Sequence, residues 1–131
     1  MLVPCEIAVK CLLPSIRAMI AKELMAKYEL KQGEAAKLLG VSQPAVSLYY
    51  RQIRGKAIDL ESDTEIIALI ENLAASMVKG KLSHKDFIPM FCEICRKIRA
   101  KGLMCKLHKT FDPTIIIEKC ELCSVIATKC V

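Results

Sequence analysis

Two groups of residues in this chain have the types and spacing to do chemistry, and they lie far apart. The first is a run of amides, hydroxyls and cations: Gln32, Ser42, Gln43, Pro44, Ser47, Tyr50, Arg51, Arg54 and Lys56. A glutamine amide can pair with the N6 and N7 edge of adenine, and a serine hydroxyl can bond to any base. Arginine, lysine and tyrosine side chains suit phosphates, which position a protein without reading sequence. The second group is thiols. Of eight cysteines, Cys92, Cys95, Cys105, Cys120, Cys123 and Cys130 fall late in the chain, and only Cys5 and Cys11 fall early. Two Cys-x-x-Cys pairs, Cys92/Cys95 and Cys120/Cys123, flank Cys105 and His108. Four thiolates suffice for zinc or for an iron–sulfur cluster.

The elements that must position the first group are legible locally. Residues 32–51 read QGEAAKLLGVSQPAVSLYYR. A helix-turn-helix needs a small residue where its helices cross, a turn residue that accepts positive φ, and apolar residues that pin the second helix. Ala36, Gly40, and Val41 with Val46 and Tyr49 supply these in turn. The spacing predicts a first helix over Lys31–Leu39, capped by Gly40 in the left-handed region. A second follows through about Gln52, with Ser42 as N-cap and Pro44 in its first turn. A plain helical hairpin with an incidental glycine is the alternative. In the DNA-reading case the second helix presents Ser42, Gln43, Pro44 and Ser47 to the major groove. Gln43 is then the adenine reader, Ser47 a base contact and Pro44 an apolar contact to a thymine methyl. Gln32, Tyr50, Arg51, Arg54 and Lys56 fall to phosphates. A solvated loop is the alternative for Arg54 and Lys56.

The thiols sit on less certain ground. Cys92 and Cys95 fall inside a predicted helix and neither pair is followed by glycine, unlike a zinc knuckle. Zinc legs of about 2.3 Å bring sulfurs to roughly 3.8 Å. Residues three apart on a helix have Cβ atoms about 5–6 Å apart, which favours a larger group. Arg96, Lys97, Arg99, Lys106 and Lys109 can offset thiolate charge. The spacing therefore favours a [4Fe–4S] cluster on Cys92, Cys95, Cys120 and Cys123, with Cys105 competing for a place. Zinc on the same residues and a Cys-x-x-Cys disulfide switch are the alternatives. His108 is expected at the surface or behind the ligands, and Cys5, Cys11 and Cys130 as small buried hydrophobes.

Composition frames both groups. The chain has 131 residues, 53% apolar, 5% aromatic and without tryptophan, which excludes disorder and predicts an aliphatic core. Leu, Ile, Ala, Lys and Glu dominate, so the fold class expected is all-α. Further helices are predicted from about Pro14 to Tyr28, from a Ser62–Glu65 capping box to Val78, and from a Ser83–Asp86 box through Lys101, stopped by Gly102. The Ile115–Ile117 run is ambiguous between strand and helix. Net charge is +6. Residues 1–60 hold nine Lys/Arg against five Asp/Glu, and residues 61–131 eleven against nine. Two regions are expected: a DNA-binding domain, 1–60, and a helical dimerisation and cysteine-rich region, 61–131. No apolar run reaches the ~20 residues that span a bilayer. The opening MLVPCE is unlike a signal peptide, so a cytoplasmic location is expected, where clustered thiols suggest metal or redox chemistry. His84 and His108 are the only histidines, and neither carries a serine or acidic motif, so no enzyme is expected.

The segment PCEIAVKCLLPSIRA from Pro4, with the SQPAVSLY run from Ser42, resembles small archaeal regulators of the Xre/Cro type. Some relatives fuse this half to a thiamine-phosphate-synthase-like domain, which this chain replaces with the cysteine-rich tail. The resemblance covers the first 60 residues, and over the tail it rests on CEIC from Cys92, GLMCKLH from Gly102 and CELC from Cys120. It implies a lambda-repressor-like helix-turn-helix bundle and a cytoplasmic, homodimeric transcription regulator of double-stranded DNA. Its two reading helices would sit about 34 Å apart. The helix over 62–78 is the expected dimer interface, with a core role as the alternative.

Overall fold

A computed structural model describes residues 3–80 and 82–114. Cys120, Cys123, Cys130 and the Ile115–Ile117 run lie outside the described residues. The described residues are all-helical and contain no strand. In chain order they form α1 (Pro4–Ile7), a π-helical turn (Ala8–Leu12), α2 (Leu13–Ala26), α3 (Gln32–Leu39), α4 (Gln43–Tyr50), α5 (Thr64–Val78), α6 (His84–Ala100) and α7 (Cys105–Phe111). No described helix is long and apolar enough to cross a membrane.

The first helical run begins ten residues earlier than the sequence suggests. Pro14 was expected to start it, because a proline interrupts the i→i−4 ladder and its ring presses on the preceding turn. Here the preceding turn is widened: the Leu13 N–H bonds to the Ala8 carbonyl, five residues back. The Ser15 hydroxyl donates to the Cys11 carbonyl at 2.8 Å. A π turn of this kind absorbs a local break without ending the helix. The apolar stripe then continues through it as Ile7, Leu12, Ile16, Ile20 and Leu24, all fully buried.

α2 is the strut of the molecule, with α3, α4 and α5 packed around it. Ala35 and Ala36 of α3 are buried, which lets the helices approach closely. Val46 and Tyr49 anchor α4 in the same core. The core is aliphatic, with Ile66, Ile70, Leu73 and Met77 from α5, Ile94 and Ile98 from α6, and Met104 ahead of α7. The apolar stripe of α5 thus faces inward, and this helix fills a core role.

α5 and α6 pack together as a pair of long helices. Their N-terminal signals differ from expectation. The N-cap of α5 is Asp63, not Ser62, and its carboxylate accepts from the Glu65 and Ile66 N–H groups, both at 3.1 Å. A carboxylate at this position answers the helix dipole more strongly than a hydroxyl. Glu65 turns instead to Lys101 at 2.6 Å and Lys97 at 3.3 Å, tying the start of α5 to the end of α6. Ser83 is the N-cap of α6, yet its hydroxyl donates to the Asp86 carboxylate at 2.8 Å rather than capping an N–H. The end of α6 is closed by Gly102 at φ 72°, with Gly102 N–H to Arg99 O and Leu103 N–H to Ile98 O. This paired pattern satisfies the last carbonyls.

Candidate nucleic-acid interface and thiol group

α3 and α4 are eight residues each, joined by Gly40, Val41 and Ser42. Gly40 has φ 69°, a left-handed conformation that favours glycine. Val41 is half-buried beneath the turn. The Ser42 side-chain oxygen accepts from the Ala45 N–H at 3.2 Å, as an N-cap should. Pro44 follows in the first turn.

The underside of α4 is apolar and the opposite side is polar. Val46 and Tyr49 are buried, whereas Ser42, Gln43, Pro44 and Tyr50 are exposed. Ser47 is half-buried, so its reach toward an outside partner is shorter than that of Gln43. Gln43 and Gln32 meet across the crossing: the Gln43 Nε2 donates to the Gln32 Oε1 at 2.6 Å. This leaves Gln43 with one N–H and its carbonyl oxygen, the donor and acceptor that an adenine edge requires. Gln32 keeps both of its N–H groups.

α4 ends at Tyr50, two residues before expectation. Gln52 adopts φ 57°, and the Ile53 N–H closes back on the Leu48 carbonyl at 3.0 Å. Arg51 therefore caps the helix, and Arg54 follows in the turn with its guanidinium 5.7 Å from the Tyr49 ring centre. The contact holds Arg54 against the C-terminal end of α4. Lys56 is exposed. Between these two cations Gly55, at φ 78°, is seated on α2: a Cβ there would lie 2.6 Å from the Pro14 carbonyl oxygen. Ile53, 58% exposed between Arg51 and Arg54, is not singled out by sequence pattern.

The thiol side is organised around a residue the sequence did not mark. Arg99 on α6 is 5% exposed. Its Nη2 donates to the Cys5 sulfur on α1 at 3.9 Å, across 94 residues of chain. The same guanidinium hydrogen-bonds the Cys95 thiol, and the Cys92 and Cys5 thiols act electrostatically on Cys95. Burial pushes the Cys95 thiol up, and the Arg99 charge pulls it partly back. Cys92 is exposed and Cys95 half-buried. Among the described residues no three His, Cys, Asp or Glu side chains come together as a metal site, so Cys92, Cys95 and Cys105 do not converge by themselves. His108 is buried, not at the surface. Cys5 differs most from expectation: it is exposed and sits at the guanidinium rather than in the core. The continuation of the Ile16–Ile20–Leu24 stripe back to Ile7 is the sequence signal that could have placed it on a helix.

No protein-family model, curated protein or solved structure matches the chain.

Proposed function

We propose that the protein is a sequence-specific DNA-binding transcription regulator that reads the major groove with α4. The observation that carries this is the Gln43–Gln32 hydrogen bond at the exposed start of α4. It fixes the rotation of the reading amide before any partner arrives, which lowers the ordering cost of binding. In this role Gln43 donates its second N–H to adenine N7 and accepts from N6. Gln32 donates to a phosphate. Ser42, whose oxygen already caps the helix, donates its hydroxyl hydrogen to the backbone of the nucleic acid. Pro44 meets a thymine methyl and Ser47 a base edge at close approach. Tyr50, Arg51, Arg54 and Lys56 lie along the flank that follows the phosphates. α3 and α4 then serve as a helix-turn-helix of the Xre/Cro type, and a homodimer in the cytoplasm gives the two half-sites.

Selection from random duplexes tests this directly. The native chain should enrich one motif, and Gln43→Ala should lose roughly 1–3 kcal/mol of discrimination between that motif and random DNA. Unchanged discrimination in the variant removes α4 as the reader.

We further propose that the cysteine-rich region holds an iron–sulfur cluster through Cys92, Cys95, Cys120 and Cys123, with Cys105 competing, and reports iron, oxygen or redox state. The supporting observation is the buried Arg99 guanidinium at the Cys95 thiol, a fixed positive charge that partly opposes the upward push of burial on that thiol. When bound, such a group supplies a charge and volume that differ between redox states. Cys95 and Arg99 would set its position relative to α1. Protein prepared without oxygen should carry iron and sulfide. One zinc per chain under those conditions replaces the cluster with a structural zinc site.

A further inference from the structure

Two large apolar side chains on different helices are exposed against the same space. Leu38, near the end of α3, is 39% exposed, and Ile88, early in α6, is 53% exposed. Both line a cavity of about 330 Å³ between the end of α3, the end of α5 and the start of α6. Buried Leu39 and Met77 form its floor, and half-buried Phe87 lines it from α6. Gly40 and Gly80 border it, and a Cβ at either would meet nothing within 4 Å. The space beside both backbones is therefore open.

Single apolar side chains at a surface are ordinary, whereas several around a concave space with few polar groups mark a ligand site. The polar side chains here are Lys37, Ser83 and His84, all exposed. The Ser83 hydroxyl already donates to Asp86 at 2.8 Å. Lys37 and His84 are thus the donors left to meet a ligand. Among the described residues no Asp or Glu lines the cavity. An apolar interior with a cationic edge is complementary to an amphiphile with an anionic end. Volume limits its size. A dry apolar cavity of about 150 Å³ takes one benzene ring. By that measure about 330 Å³ takes roughly ten carbons.

We propose that this cavity binds a carboxylate with an apolar body of roughly ten carbons. The body replaces water against Leu38, Leu39, Met77, Phe87 and Ile88. The carboxylate accepts from the Lys37 ammonium, with the His84 imidazole as a second donor. The occupant would also rest against Gly40, the turn that sets α4 on α3, and against the first turn of α6. It would thereby link the α3–α4 pair to the long helices. Binding does not depend on the regulator reading, whereas any effect on DNA recognition rests on it.

The isotope-labelled full chain is titrated with decanoate below its micelle concentration, and with decanol as the uncharged probe. Equilibrium dialysis reads uptake, and amide NMR shifts read the place. Decanoate should saturate at one per chain, with the largest shifts in residues 37–40 and 82–88. Decanol should bind about fivefold more weakly, and Lys37→Gln should weaken decanoate by about the same factor while leaving decanol unchanged. Ile88→Asn should weaken both probes about tenfold, with helicity retained by circular dichroism. No saturable uptake of decanoate, largest shifts elsewhere, decanol binding as tightly as decanoate, or either variant binding decanoate as the native chain does would each overturn the proposal. Failure of DNA selection with normal decanoate binding would remove the regulator reading alone.

Discussion

The α3–α4 pair and the thiol side of α6 place their chemistry in opposite ways. α3 and α4 bury Ala35, Ala36, Val46 and Tyr49 and turn their amides outward, and Ser42, Gln43 and Arg54 are each set by a partner within about three helical turns. The thiol side turns inward: Cys95 is arranged by Arg99, and Arg99 reaches a cysteine 94 residues away. One site is a local motif mounted on a core. The other exists only when segments 94 residues apart have come together. The first should tolerate change elsewhere and fail by its own seating, and the second should respond to anything that shifts α1.

The sharpest way to break this contrast is at the seat of the α3–α4 pair. Gly55→Ala combines a left-handed backbone with a Cβ 2.6 Å from the Pro14 carbonyl oxygen and 2.7 Å from the Ala18 Cβ. A loss of about 3 kcal/mol in unfolding free energy is expected, read by urea titration. A loss under 1 kcal/mol would show that the loop yields and that the pair is not seated on α2. A smaller effect sharpens the contrast. Ser42→Ala removes the N-cap bond to the Ala45 N–H and should cost about 1 kcal/mol, with hydrogen exchange rising in the first turn of α4 and not in α6. Equal exchange in both helices would contradict local positioning.

The smallest effect is on the α5–α6 clamp. The Ile66 N–H and then Lys101 hold the Asp63 carboxyl below its ordinary range, and Lys101 and then Lys97 do the same for Glu65. Both acids therefore contribute stability above the ordinary carboxylate range, lost as pH falls through their depressed values. Glu65 and then Asp63 hold Lys101 above its ordinary range, so its contribution is present below that range and lost as pH rises through the raised value. Thermal melts should show a shallow loss at the acidic end that Lys101→Met reduces. Because Glu65 and Lys101 are exposed and Asp63 only half-buried, 1 M salt should also shrink it. An unchanged acid slope in the variant would detach the clamp from the pH response.

This division also explains what could be read from the sequence. Gly40, Ser42 and Pro44 are local signals with local causes, and their helices lie where those signals place them. The aliphatic, all-helical fold follows from composition and periodicity. The helix before Pro14 was hidden because a proline ordinarily ends a pattern, and the widened turn that accommodates it has no sequence signature of its own. Ser62 lost the N-cap to Asp63 because two capping residues stood side by side and the carboxylate prevailed. Arg99 among many lysines and arginines carries no mark of burial, and Cys5 carries none of its partner. Such residues become legible only once α1 has been laid against α6.

The π turn at Ala8–Leu12 sets a rotational phase as well as sparing Pro14. Each residue advances an α-helix by roughly 100°, and a five-back hydrogen bond inserts one residue that the ordinary repeat does not count. Everything on its N-terminal side is turned by that amount relative to Ile16 and Ile20. Removing one residue between Ala8 and Leu12 would restore an even repeat and swing Cys5 away from Arg99 while leaving the α2 core untouched. A single extra residue thus acts as the angular offset that brings the start of the chain into register with its cysteine-bearing helix.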